Sequence, residues 1–332
     1  MEKLNGLMKR PEYAFLGEMF ARAPELGLTE KELAHMSEQF MKENKSFVKK
    51  ASADQFKERY LPYMEEHIPA LIQSKKVEAF FQSDSDRHDA MNAADPRFEA
   101  LENALRSGED VTALLDEIAR EADAQGLVSH EEPPFPELPC LRDVLSDTDA
   151  YIMDLLMQRG YNASPVELQL LYHKETFARF QKIYAAKGLT KENARMDDLD
   201  DFRLSDFFLN WIGDYELDLT NAEDPKALLD LANTMLDMFP VTEDLMGTFL
   251  CDRCDAIGQL EGEEKRLDAY DEAMRLLPHD SNLWLRFVFA LSPEEAEQAV
   301  RKELDEAEAA GIDTNYLADA LDYLAMHHHI FI

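Results

Sequence analysis

The sequence predicts an all-α protein, and three observations carry that expectation. Leu, Ala, Glu, Met and Lys dominate a chain with only 12 glycines, and β-branched runs are nearly absent, which is the composition of good helix formers. Apolar residues recur at helical spacing, with no alternating strand pattern and no Asn-Gly hairpin signal. Helix starts and stops are punctuated along the whole chain. Apolar residues make up 45% of the 332, enough for a sizeable core. At roughly 150 residues per domain, the length fits two domains or one long helical array.

The spacing predicts helices over 11–22, 29–49, 52–67, 69–82, 95–107, 109–125, 143–159, 165–187, 203–218, 225–239, 242–259, 262–277, 281–290, 293–310 and 314–328. Thr29-Glu-Lys-Glu32, Ser164-Pro-Val-Glu167 and Ser292-Pro-Glu-Glu295 have the form of capping boxes, in which a hydroxyl caps the first free amides and the Glu reaches back. Pro165 and Pro293 then occupy the first helical position, where a missing N–H costs nothing. Asp95-Pro96 and Asp224-Pro225 are similar starts. Gly27-Leu28, Gly126-Leu127, Gly188-Leu189 and Gly311-Ile312 read as stops: the glycine turns left-handed and the apolar residue folds back on the last turn. Pro62 and Pro69 are expected to kink or break the helical region that holds them. Within 165–187, Val166, Leu170, Phe177, Phe180 and Tyr184 form one apolar stripe.

The segment 128–140 holds four prolines, which rules out a regular helix and favours extended chain. It sets the expected organisation: a helical bundle domain over 1–127, a Pro-rich linker over 128–140 and a helical-hairpin domain over 141–332.

The stretch 265–288 carries the most specific pattern. Tyr270, Ala273 and Pro278 stand at i, i+3 and i+8, with Trp284 six residues further on. This resembles a tetratricopeptide repeat (TPR), a helical hairpin of 34 residues. Leu250, Cys254 and Ile257 suit the first helix of that unit, whereas Arg253 and Arg266 depart from the pattern. The next unit offers Trp284, Phe287, Leu291, Val300, Leu304 and Ala307, but Ser292-Pro293 ends its first helix early and Ile312 replaces its proline. The preceding unit offers Leu228, Met235 and Pro240, with the register slipped by four. The resemblance covers about 209–314, one fair repeat between two degenerate ones. It implies a right-handed stack of hairpins whose concave face binds a peptide or protein segment. Residues 1–130 show no repeat and read as an ordinary bundle.

Charge narrows the function. The chain has 34 Lys and Arg against 68 Asp and Glu, a net of −34. Residues 1–100 carry 15 basic and 18 acidic side chains, and residues 201–332 carry 9 and 30. Phosphate binding needs Lys and Arg, so nucleic acid is not expected as a direct partner. A surface of this sign solvates the protein and attracts cationic partners. No apolar run approaches the ~20 residues that span a bilayer. The N-terminus shows no signal-peptide h-region and three cysteines form no disulfide framework, so the expected location is cytoplasmic.

Motif chemistry is sparse. Cys251-Asp-Arg-Cys254 is a lone C-x-x-C on a helix, one pair short of a zinc site, and reads as packing. His327-His328-His329 reads as a frayed helix end. Asp84-Ser-Asp-Arg-His-Asp89 lacks the glycine of a calcium loop and reads as a turn between helices. Asp197, Asp198, Asp200 and Asp201 form an acidic cluster that could meet Lys and Arg of a partner or hold a divalent cation weakly. Phe207, Phe208, Trp211 and Tyr215 are the densest aromatic patch, either core or an anchor site for a peptide. No nucleophile elbow, P-loop or dinucleotide fingerprint is present, and no cofactor is expected. The expected function is therefore a non-enzymatic interaction module whose acidic surface binds a basic protein or peptide. The alternatives are an enzyme with a dispersed, divalent-cation-dependent acidic site, and an acidic nucleic-acid mimic.

Overall fold

The computed structural model describes residues 2–129, 144–201, 203–242 and 245–332. Among them every regular element is helical, and no strand occurs. Among the described residues no helix is long and apolar enough to cross a membrane. The chain divides into two compact units, Met1–Ser85 and Asp86–Ile332.

The first unit contains α1 (Glu2–Met8), α2 (Ala14–Ala21), α3 (Glu30–Glu43), the single turn α4 (Lys45–Val48) and most of α5 (Ala53–Asn92). Thr29 caps α3 in the expected box: Thr29 Oγ1 accepts from Glu32 N, and Glu32 returns the bond to Thr29 N. The core is sealed by aromatic rings. Phe40 meets Phe56 and Tyr60 edge-on with centroids 5.5 and 5.2 Å apart, and Phe56 stacks on Tyr60 at 5.3 Å. Each such pair adds about 1 kcal/mol beyond its buried area. Ser37 donates to the Leu33 carbonyl and accepts from the Tyr60 hydroxyl, both at 2.6 Å, so both buried hydroxyls are satisfied.

α5 corrects two expectations. It runs unbroken through Pro62 and Pro69, joining the regions expected as 52–67 and 69–82. Each proline removes a helical bond, but Phe56, Tyr60 and Met64 are buried on one stripe and hold the turn around Pro62 in place. Asp84–Asp89, expected as a turn, is helical as well. Arg87 Nη2 donates to the Arg203 carbonyl at 2.8 Å, and His88 Nε2 lies 3.2 Å from the buried Asp154 carboxylate.

The second unit continues with α6 (Pro96–Ser107), α7 (Thr112–Ala124), α8 (Asp147–Asn162), α9 (Val166–Ala186), α10 (Phe208–Asn221) and α11 (Pro225–Met238). It ends with α12 (Met246–Glu261), α13 (Glu263–Leu276), α14 (Ser281–Ala290), α15 (Pro293–Ala310) and α16 (Ala318–His328). Asp95, Asp224 and Ser292 cap α6, α11 and α15 as expected. Ser164 does not cap α9, which starts at Val166 after Pro165. The four Gly-apolar stops all close as expected. Gly27, Gly126, Gly188 and Gly311 have φ of 68–74°, and each following amide bonds to the carbonyl five residues back. The chain past α16 is similarly capped: His329 is left-handed and Ile330 N donates to Leu324 O, so the expected fraying is replaced by a closed end.

The segment 130–140, most of the expected linker, lies outside the described residues, as does Cys140. Residues on both sides of it share one core: Leu115 and Ile118 of α7 are buried with Ile152 and Leu156 of α8 and with Leu168 and Tyr172 of α9. α9 buries Phe177 and Phe180 in a second, larger core that continues through α10 to α14. Being covered from two sides, α9 buries more than the single expected stripe, and Val166 is exposed. From α11 onward each helix packs on the next up to α14, and α14 also packs on α12 and α16.

Candidate functional site

The structure separates the sequence-predicted site residues by role. Phe208 and Trp211 have no exposed surface and Tyr215 has 7%, whereas Phe207 has 37%. Phe208 packs against Phe180 at 4.5 Å and Trp211 against Tyr215 at 5.9 Å. Three of the four aromatics are therefore core, and only Phe207, at the entry to α10, stands at the surface. The anchor reading does not hold for Phe208 and Trp211, which burial leaves without a face for a partner, and Tyr215 keeps only an edge at the surface.

The acidic cluster divides in the same way. Asp201 is 1% exposed and accepts from Val144 N at 2.8 Å, Leu145 N at 2.9 Å and Arg203 Nε at 2.9 Å. Asp200 accepts from Phe208 N at the start of α10. Asp200 thus satisfies a first amide of α10 that the helix leaves without a partner, and Asp201 holds the chain leading into α8. Asp198 accepts from Arg195 N at 2.9 Å, and Asp197 is exposed. Among the described residues no group of three or more His, Cys, Asp or Glu side chains could hold a metal ion. Cys251 and Cys254 are free, buried packing residues, and burial pushes the Cys254 thiol up to about 12.

A different cluster stands out, built by α10, α12, α13 and α14. Asp252 and Asp255 lie about one turn apart on α12, and Arg266 and Tyr270 one turn apart on α13. Asp255 is saturated: its Oδ1 accepts from Arg266 Nε at 2.9 Å and Tyr270 Oη at 2.8 Å, and its Oδ2 from Arg286 Nε at 3.0 Å. Arg286, on α14, also gives its Nη1 to Asp252 Oδ1 at 2.9 Å. Asp252 Oδ2 is buried with no donor. Glu216 of α10, half-buried, accepts from Thr220 Oγ1 at 3.2 Å and faces Asp252. Burial and then the Glu216 charge push the Asp252 carboxyl up to about 7, and burial also raises Glu216.

Gly258 on α12 makes the room that the Arg266 side chain needs. A Cβ on Gly258 would lie 2.7 Å from Arg266 Cδ and 2.9 Å from its Cβ. The stem of Arg266 thus crosses the helix pair at a glycine and carries its guanidinium to Asp255. Asp252 and Arg286 are 34 residues apart, and so are the hydrogen-bonded Thr248 and Asn282.

His173 is a second buried titratable group. It has no exposed surface, stacks on Tyr215 at 5.5 Å, and burial lowers it to about 4, so it is neutral at pH 7. Its Nε2 lies 3.1 Å from Asp218 Oδ2, which burial pushes up.

No protein-family model matches the chain, and comparison with curated proteins and with solved structures gives no match.

Proposed function

We propose that this chain is a non-enzymatic protein-interaction module in which a TPR-like stack of hairpins, about 209–314, presents an acidic surface to a basic protein or peptide segment. The observation that carries the reading is charge. Asp86–Ile332 holds 21 Lys and Arg against 54 Asp and Glu, while Met1–Ser85 holds 13 against 14. A field of this sign speeds the encounter with cationic partners and falls steeply with ionic strength. The repeat reading is supported by the α12–α14 contact. The hydrogen bonds Asn282–Thr248 and Arg286–Asp252 each join residues 34 apart, the length of one family unit. Both join the first helices of successive hairpins, the helices that line the concave face in that family.

Affinity capture with the full chain, washed at low and at high salt, tests the proposal. The expected outcome is basic proteins retained at low salt and released at high salt. Retention of apolar partners regardless of salt, or of none at low salt, sinks it.

A further inference from the structure

α9 and α11 both pack on α10, and the three helices enclose a surface groove of about 380 Å³. Its floor is α10, through the edge of Tyr215 and the nearly buried Leu219. The α9 wall runs from Leu170 to Gln181, and the α11 wall from the N-cap Asp224 to Thr234. At ~1.5 Å per helical residue these walls are about 15 Å long, close to three turns. The volume is that of a ligand cleft, but the length is that of a peptide segment.

The two walls differ in charge. α9 contributes one cation to the lining, the exposed Lys174, whereas α11 contributes the exposed Asp224 and Asp230. Asp224 Oδ1 accepts from Ala227 N at 3.0 Å, and among the described residues neither carboxylate pairs with a Lys or Arg. The α10–α11 hairpin, 208–238, carries seven acidic side chains and a single basic one, Lys226. The field over the α11 side of the groove is therefore negative. An apolar floor beside an unpaired acidic wall is complementary to a helix with an apolar stripe and a cationic flank.

Resting on the acidic-module reading, we propose that this groove docks a basic amphipathic helix of about three turns from a protein partner. Its apolar residues, spaced at i, i+4 and i+7, cover Tyr215 and Leu219. Its Lys or Arg side chains meet Asp224 and Asp230. Lys174 repels them from the opposite wall, and so fixes the rotation of the bound helix about its own axis.

The test uses two fluorescein-labelled peptides of leucine and lysine, alike in length and composition. One has its leucines at helical spacing and the other has the order scrambled. Each is titrated into the full chain at low salt and followed by fluorescence anisotropy. The amphipathic peptide is expected to bind roughly tenfold more tightly than the scrambled one. Asp230→Lys should weaken it roughly tenfold, and Asp237→Lys, the same change at an exposed α11 position outside the groove, less than about twofold. Ala178→Trp, which fills the groove from the α9 wall, should bring it down to the scrambled level.

Equal binding of the two peptides, or equal losses for Asp230→Lys and Asp237→Lys, overturns the groove and leaves the acidic-surface reading standing. Failure of both peptides to bind the unaltered chain at low salt overturns both. Sedimentation showing a dimer that Ala178→Trp dissociates would assign the groove to a second copy of the chain instead. Circular dichroism checks that each variant keeps its helices, and Asp230→Lys, at an exposed position, decides the matter if Ala178→Trp does not fold.

Discussion

Met1–Ser85 and Asp86–Ile332 solve the problem of holding helices together by different physics. The first unit is near neutral and closes on an aromatic seam of Phe40, Phe56 and Tyr60, with the buried Ser37–Tyr60 hydrogen bond beside it. The second is strongly acidic and, besides a large apolar core, threads charge through its interior from Glu216 to Arg286. An aromatic seam is indifferent to salt and to pH near neutrality. A buried carboxyl–guanidinium seam, in which burial pushes Asp252 up to about 7, is tied to both. The difference teaches that acidity in this chain is part of how the second unit is built as well as a property of its surface.

Four experiments break or sharpen that contrast. The largest effect is expected from Phe40→Ala, which should cost about 3–5 kcal/mol, equally at low and high salt, in urea unfolding followed by far-UV circular dichroism. A salt-dependent loss would erase the distinction between the units. Arg286→Met should cost about 3 kcal/mol, because it leaves Asp252 and one oxygen of Asp255 buried without a guanidinium. Both tryptophans, Trp211 and Trp284, belong to the second unit, so tryptophan fluorescence reads that loss directly. A cost below about 1 kcal/mol would show the seam to be energetically incidental.

Gly258→Ala should cost about 2 kcal/mol, since its Cβ would press on the stem of Arg266. A neutral outcome would mean that the α12–α13 crossing can open freely. The smallest effect concerns the part of the pH dependence that Glu216 adds to burial at Asp252, roughly 1 kcal/mol per pKa unit. Asp252 is raised from 3.8 to about 7 in the folded chain, so its contribution to stability is full below the unfolded value and is lost as pH rises towards 7. His173, lowered from 6.5 to about 4, acts in the opposite sense and gains stability between those values. Subtracting the pH profile of Glu216→Gln from that of the unaltered chain cancels His173 and isolates the pair. The difference should fall between pH 5 and 7, and a flat difference would show that Glu216 does not add to the rise of Asp252.

The sequence by itself determined the helical class and most of the punctuation. Helices 281–290 and 293–310 begin and end where the residues say, because Asp280, Ser292 and Gly311 act within a single turn of chain. The four Gly-apolar stops are legible for the same reason: a left-handed glycine and one backbone bond need no distant partner. Pro62 and Pro69 misled because their local penalty is outweighed by packing around Phe56, Tyr60 and Met64, which no window of a few residues contains. The acidic run 197–201 misled because Asp201 meets the amides of Val144 and Leu145, over fifty residues earlier in the chain. Only the tertiary structure decided which of 68 acidic residues are buried together. Asp252 and Arg286 meet through the packing of α12 on α14, and long-range packing, rather than local preference, sets whether a carboxyl is solvated or paired.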